Sequence, residues 1–340
     1  MFQAHRAAEG AVLNAAAPRE GLIGRIADRM MGPRGCLFTF HRAVKSADWA
    51  RLPNRDFYVN LDFLDRMLAY LKAADWDVVT MSEAARRTRG TSSFRKFVNF
   101  SIDDCYRDTY EELVPLFRKH GVPVTLLVTT GIPDNTLALA DAGLEDALLR
   151  GPVKLGGETI APTTDEDRRA AYARIAAEWD GADKAARYRA FAQENGIDID
   201  AMHWKHAITW EMLEALVKDP VVEIGSHTIN HRRISALSDA EAMLELAGSR
   251  HRLQERLGIP VKHFAFPYGR SGDCGPRDFA IGIEAGYETI ATTRKGLMRN
   301  ETPLDRLPRV TLNGNQQKIA LIEAHLSGIS AFLAEITGRV

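Results

Sequence analysis

The sequence predicts an α/β protein built on a mainly parallel sheet or barrel. Three observations predict it. From Cys36 onward, short apolar runs alternate with longer stretches of helical periodicity, the pattern of repeated βα units. Several of these runs have helices on both sides, which favours a barrel; the pattern fits seven strands or eight. The chain has 340 residues, 45% hydrophobic and 26% charged. A chain of that size buries roughly three quarters of its unfolded surface, enough for a large core without disulfides or a structural metal.

In chain order, residues 1–34 form an extension rich in Ala, Arg and Gly. Within it Leu22, Ile23, Ile26 and Met30 fall at helical spacing before Gly32-Pro33, a stop signal. The strand candidates are Cys36–Phe40, Val78–Met81, Phe97–Ile102, Val124–Val128, Val221–Ile224, His263–Phe266, Thr289–Thr292 and Pro308–Leu312. Helices are expected at Leu61–Ala73, Tyr106–Lys119, Trp210–Lys218, Ser238–Leu257 and Gly275–Ala285. Ser238-Asp-Ala-Glu241 is a capping-box pattern. Residues 35–315 read as one barrel domain, interrupted by a charged, Ala-rich insertion at 133–206 that is expected to be largely helical. Residues 316–340 read as one amphipathic C-terminal helix with an interruption at Ser327-Gly328.

Composition excludes several classes. Lys and Arg number 44 against 45 Asp and Glu, a net charge of −1, so the global footprint of a nucleic-acid partner is absent. The longest apolar runs, such as Val124–Val128, are too short to cross a membrane. The N-terminal apolar stretch is mostly Ala, broken by Asn14 and preceded by Glu9, a poor signal peptide. Cys36, Cys105 and Cys274 are widely spaced and form no CxxC pair, which points to a reducing compartment. A cytoplasmic location is the expectation.

Three short stretches carry chemistry, each at the C-terminal end of an expected strand, the edge where catalytic groups gather in βα barrels. The first is Phe100-Ser-Ile-Asp-Asp-Cys105. Its adjacent carboxylates can divide roles between binding a cation and acting as a base, and they also suit the start of a helix at Tyr106. The second is His227-Thr-Ile-Asn-His231, two His four residues apart. On one helical face such a pair can converge on one ion, although ten His in 340 residues make a chance pair unremarkable. The third is Phe264-Ala-Phe-Pro-Tyr-Gly269, where Pro and Gly mark a tight turn that can aim a backbone N–H into a cleft. Together they describe metal-assisted hydrolysis of an acyl bond. One Asp and two His leave a coordination position open for water, a second Asp takes a proton, and an N–H holds an oxyanion.

Asp103-Asp104, His227-Thr-Ile-Asn-His231 and Phe266-Pro-Tyr-Gly269 resemble the ordered motifs of the polysaccharide deacetylases of NodB-homology type, carbohydrate esterase family 4. The resemblance covers roughly residues 36–312. Around the motifs, Thr39-Phe-His-Arg-Ala-Val44, Ile208-Thr-Trp-Glu-Met212, Glu223-Ile-Gly-Ser-His227 and Thr292-Thr-Arg-Lys-Gly296 are similar to the bacterial exopolysaccharide and holdfast branch. The resemblance implies a distorted (β/α)7-type barrel, a divalent ion and release of acetate from N-acetylhexosamine residues. The substrate it implies is a polysaccharide or its lipid-linked precursor, the latter compatible with peripheral association. Zinc is the expected ion, with Co2+, Ni2+ and Fe2+ as alternatives.

Carried over by position, the resemblance makes Asp104, His227 and His231 the metal ligands and Asp103 the general base. The backbone N–H of Tyr268, presented by Pro267, becomes the oxyanion donor. The family's Asp-Asp-Gly is Asp-Asp-Cys105 here, and Ala265 stands where the third motif usually carries an Arg. Arg309, at the end of the last expected strand, is the candidate substitute. No late Leu-x-His motif is clear. His41, in Phe38-Thr-Phe-His-Arg42, fits the variant branch that supplies its general acid from the first strand, whereas His325 reads as structural. Trp204 and Trp210 are candidates for a sugar-stacking wall or for packing. Two rival functions remain: a catalytically silent glycan-binding protein on the same fold, and an O-acetyl esterase or small-molecule amidase.

Overall fold

The computed structural model describes residues 34–90, 93–181, 183–315 and 317–330. The N-terminal extension up to residue 33, with its expected helix, and residues 331–340 lie outside the described residues. The described residues open with β1 (Gly35–Phe40), buried along its whole length, then β2 (Arg42–Val44), α1 (Ser46–Trp49), β3 (Tyr58–Asn60) and α2 (Leu61–Ala73). Next come β4 (Asp77–Val78), α3 (Met81–Thr88), β5 (Phe97–Asp104), a π-helical turn at Thr109–Leu113, α4 (Val114–His120) and β6 (Val124–Val128).

The insertion contributes α5 (Ala140–Arg150), a hairpin of β7 (Val153–Leu155) and β8 (Glu158–Ile160), α6 (Asp165–Trp179), α7 (Lys184–Glu194) and α8 (Ile199–His206). After it come α9 (Trp210–Leu216), β9 (Val222–Ser226), α10 (Asp239–Leu257), β10 (His263–Ala265), α11 (Pro276–Glu284), β11 (Thr289–Ala291), β12 (Val310–Thr311) and α12 (Ile319–Leu326).

Parallel strands run in the order β11-β10-β9-β6-β5-β1-β12, with β4 beside β5. Backbone bonds then join the two ends. Leu307 N donates to Ile290 O at 2.7 Å and Thr292 N donates to Leu307 O at 2.9 Å, so the sheet curls round into a distorted barrel. Alternation sorts its side chains. Phe38, Phe100, Leu126, Ile224, Phe264 and Ile290 pack outward under the helices. Leu37, Phe97, Leu127, Ala265, Ala291 and Leu307 form a separate inner cluster.

One expectation is corrected here. Val78–Met81 is not one strand: only Asp77–Val78 pairs with β5, and Met81 begins α3. Met81 and Ala84 join the inner cluster, so α3 plugs the lower end of the barrel. Thr80 caps it, its hydroxyl accepting from Glu83 N at 3.1 Å. The insertion is largely helical and also carries a hairpin, which turns at Gly156-Gly157, both at positive φ, as a two-residue turn matching strand twist requires.

The α3 plug is tied to the barrel by one carboxylate. Glu223 on β9 accepts from Met81 N at 2.7 Å, Ser82 N at 3.2 Å and the Thr125 hydroxyl at 3.0 Å. An anion at a helix N-terminus satisfies donors that have no intrahelical partner. Glu223→Ala strands those donors and is expected to cost about 2–3 kcal/mol. Thermal unfolding checks this, and an unchanged Tm contradicts it.

Candidate active site

Both carboxylates of the first motif end β5, in register with Leu127 and Val128 of β6. A regular strand would send them to opposite faces. Asp104 and Cys105 both adopt φ of +66°, and this left-handed turn swings Asp104 toward the mouth beside Asp103. The Cys at the position of the family's Gly therefore keeps the glycine-like turn, at a cost of about 1–2 kcal/mol for an L-residue.

Asp103 is 2% exposed and Arg309 fully buried. They meet in a two-pronged pair, Nη1 to Oδ1 at 2.7 Å and Nη2 to Oδ2 at 2.9 Å. Arg309 also donates to the Thr39 hydroxyl at 3.0 Å, the Ser101 hydroxyl at 2.9 Å and the Thr292 carbonyl at 2.9 Å. Burial pushes the Asp103 carboxyl up, but the charges of Arg309 and His227 and the Arg309 hydrogen bonds outweigh it and hold it well below the usual carboxylate range. Arg309 thus stands against the carboxylate that the third motif's Arg would contact.

Asp104, His227 and His231 offer one ligand atom each, all within 4.8 Å of one another. Among the described residues they are the only such group of three. Asp104 Oδ1 lies 3.7 Å from His227 Nε2 and 3.4 Å from His231 Nε2. Two ligands about 2.1 Å from a tetrahedral ion stand about 3.4 Å apart, so the group fits a divalent ion. His227 Nδ1 is engaged by the Ala265 carbonyl at 2.8 Å, which leaves Nε2 facing the group, as second-shell bonding to metal-ligating His commonly does. Burial, ahead of the neighbouring charges, lowers the His227 pKa to about 4, keeping the imidazole in its neutral, ligating form.

The two His do not share a helical face. Residues 227–231 form a loop after β9, with Thr228 and His231 at φ of +72° and +53°. The i, i+4 pair converges through a turn. The third motif is also a turn: Gly269 N donates to Pro267 O at 2.7 Å, and Tyr268 sits at φ of +62°. No acceptor among the described residues takes the Tyr268 N–H. The Tyr268 ring, 43% exposed, lies 5.2 Å from the His231 ring and 4.8 Å from the Arg233 guanidinium. Among the described residues, five of the eight non-glycine residues at positive φ belong to these three loops. Such concentration of strain is usual at functional sites.

His41 joins β1 to β2, and its ring stacks on Phe57 at 4.4 Å. Burial lowers its pKa, while the charges of Asp104 and Asp103 act to raise it, so His41 lies within electrostatic reach of the motif carboxylates. His325 is elsewhere. On α12, it packs against the outward-facing Phe38 at 6.3 Å and bonds to the Ser330 hydroxyl. Trp210 is a packing residue, buried with its Nε1 on Asp134, whereas Trp204 is exposed.

Sequence reasoning passed over Phe57 and Thr129. The Thr129 hydroxyl is 3.4 Å from Asp104 Oδ1 and donates to His227 O at 3.1 Å. Its position just after the apolar run of β6 was the available signal.

A model of the polysaccharide deacetylases matches residues 92–278, more than half of the chain. The chain belongs to the polysaccharide deacetylase family. Similar solved structures include the deacetylase PplD of Streptococcus pyogenes in complex with acetate, at 17% identity, covering 83% of this chain and 94% of that one with a TM-score of 0.55. IcaB from Ammonifex degensii is similar at 17% identity, with 87% and 98% covered and a TM-score of 0.57. The deacetylase domain of BpsB from Bordetella bronchiseptica is similar at 15% identity, with 83% and 96% covered and a TM-score of 0.52. At these identities the likeness is one of fold. Comparison with curated protein sequences gave no match. Polysaccharide deacetylases act on glycans and are in general metal-dependent, which suits the Asp104, His227 and His231 group. No helix among the described residues is long and apolar enough to cross a membrane.

With three ligands there is no redundancy. His227→Ala and Asp104→Asn are each expected to lose most bound metal. Elemental analysis after dialysis reads this directly, and full occupancy in both variants contradicts the ligand set.

Proposed function

We propose that the chain is a divalent-metal-dependent N-deacetylase. Its substrate is the N-acetylhexosamine of a polysaccharide or of its lipid-linked precursor, and acetate is released. The observation that carries this reading is the juxtaposition of two unlike carboxylates: Asp104 in a ligand group with His227 and His231, and Asp103 beside it, held by Arg309. A nitrogen-and-oxygen donor set of this kind suits zinc, with Co2+, Ni2+ or Fe2+ able to share it. When bound, the ion supplies a Lewis acid that polarises the acetyl carbonyl and acidifies water.

The chain's own residues do the rest. Asp103, ionised and fixed by Arg309, accepts the proton of the attacking water. The N–H of Tyr268 donates to the oxygen of the tetrahedral intermediate, where a preorganised donor is most effective. His41 gives a proton to the departing amine, without which the intermediate collapses back by expelling water. Thr129 and the Ala265 carbonyl orient Asp104 and His227. We place the reaction in the cytoplasm; three free, buried cysteines are consistent with a reducing compartment. The silent glycan-binding alternative rests on the missing third-motif Arg; Arg309 paired with Asp103 supports the catalytic reading instead.

Acetate release from N-acetylglucosamine oligomers, compared with O-acetylated sugars, tests the assignment; release from the O-acetyl substrates alone overturns it in favour of an esterase. Asp103→Asn is expected to keep its metal and lose roughly 10²–10⁴-fold in turnover. Loss of metal from this variant, with retention in Asp104→Asn, exchanges the two roles. His41→Ala is expected to bind metal normally and turn over at least about tenfold more slowly, with His325→Ala near wild type. Equal turnover of His41→Ala and wild type removes His41 as the acid.

A further inference from the structure

Two loops at the mouth are clasped to each other. One follows β9 and carries His231; the other follows β10 and carries Tyr268. Ser235 N donates to Asp273 O at 3.3 Å, and the Ser235 hydroxyl donates to Gly272 O at 3.0 Å. From the start of α11, Arg277 Nη2 donates to Leu237 O at 2.8 Å. The centre of the clasp is the buried Asp273. Its Oδ2 accepts from Arg270 N at 3.0 Å within its own loop, and its Oδ1 lies 2.7 Å from Arg233 Nε of the other.

Held there, the Arg233 guanidinium lies over the Tyr268 ring, 4.8 Å from its centre. The same ring lies 5.2 Å from that of His231, a member of the ligand group. The Tyr268 backbone needs such support. Gly269 N donates back to Pro267 O at 2.7 Å across Tyr268, whose φ is +62°. A bond from residue i+2 to residue i round a positive φ is the rare, strained form of γ-turn. Strained backbone persists where its surroundings over-determine it. Thr293 holds the carbonyl side of the turn: its hydroxyl donates to Tyr268 O at 2.6 Å and its N–H to Gly269 O at 2.9 Å. On the side-chain face the fastening is Arg233 with the His231 ring. A cation over an aromatic face is attracted by the ring's quadrupole, and here a buried carboxylate fixes the cation. Neighbouring Arg232 is engaged elsewhere, 3.2 Å from Glu241 of α10.

We propose that Arg233 is a positioning residue: anchored by Asp273, it packs on the Tyr268 side chain and fixes the turn that presents the Tyr268 N–H to the oxyanion. This rests on the deacetylase reading, in which that N–H is the donor. It adds a residue from outside the three motifs, and it makes the loop that carries the His ligands set the geometry of the donor.

The test uses the full chain loaded with zinc and an N-acetylglucosamine oligomer, with kcat, KM and bound zinc measured for each variant. Loss of an oxyanion donor costs about 10²–10³ in kcat, and a donor present but misplaced should cost less. Arg233→Met is expected to lower kcat at least about tenfold, with KM and zinc content little changed, the split of an interaction made only in the transition state. Arg233→Lys should recover most of the loss, because an ammonium can also sit over the ring, and Arg232→Met should match wild type. Tyr268→Ala removes the ring, and in that background Arg233→Met should lower kcat no further. Should Arg233→Met fail to fold, Asp273→Asn, which frees the guanidinium, decides by the same split. Wild-type kcat in Arg233→Met, or a loss that falls on KM or zinc content instead, overturns this inference alone, as does an equal fold-loss in the Tyr268→Ala background. Wild-type protein that releases no acetate from the oligomer overturns the deacetylase reading and this inference with it.

Discussion

The buried pair of Arg309 and Asp103 is the constraint round which the mouth of the barrel is arranged. Arg309 precedes β12, yet its guanidinium reaches Asp103 and Ser101 on β5, Thr39 on β1 and the Thr292 carbonyl just beyond β11. One side chain thus links four chain segments across the barrel interior. A buried ion pair is weak as a source of stability, because desolvation consumes much of the Coulomb gain. Its value here lies in the fork geometry. Both oxygens of Asp103 are fixed in direction and the carboxylate stays charged, as the base role proposed for it requires.

The site depends next on backbone that ordinary sequence avoids. Asp104, Cys105, Thr228, His231 and Tyr268 all hold left-handed φ. Asp and His tolerate that region better than Cys, Thr or Tyr. The loops stay folded because the strands below over-determine them. β5, β6 and β9 are paired up to the last residue before each turn, and His227 N closes onto Val128 O at 2.9 Å. Gly225, two residues before His227, has no room for a side chain: a Cβ there would sit 2.6 Å from Leu127 and 2.8 Å from the His263 carbonyl. That close approach holds the end of β9, from which His227 follows, against its neighbours.

Much of this was legible in the sequence, and the reasons differ by element. Leu61–Ala73 was read to the residue because Asn60 caps it, its side chain accepting from Asp62 N and Phe63 N, and its apolar period is unbroken. The motifs were legible because strand ends can be read from apolar runs. Val78-Val-Thr-Met81 reads as a strand because of its β-branched composition, and the structure instead starts α3 at Met81, capped by Thr80. The hairpin was missed although Gly156-Gly157 announced it. Arg309 appeared only as a candidate, since nothing local in Leu307-Pro-Arg-Val310 shows that its partner lies 206 residues away.

The central claim is that the two adjacent carboxylates have different jobs because Arg309 claims one of them. The most direct measurement is a crystal structure of the metal-loaded chain, with anomalous diffraction at the edge of the bound element. The account predicts one ion on Asp104, His227 and His231, with Asp103 outside the coordination shell and still forked to Arg309. An ion ligated by Asp103, or one seated away from the two His, would contradict it.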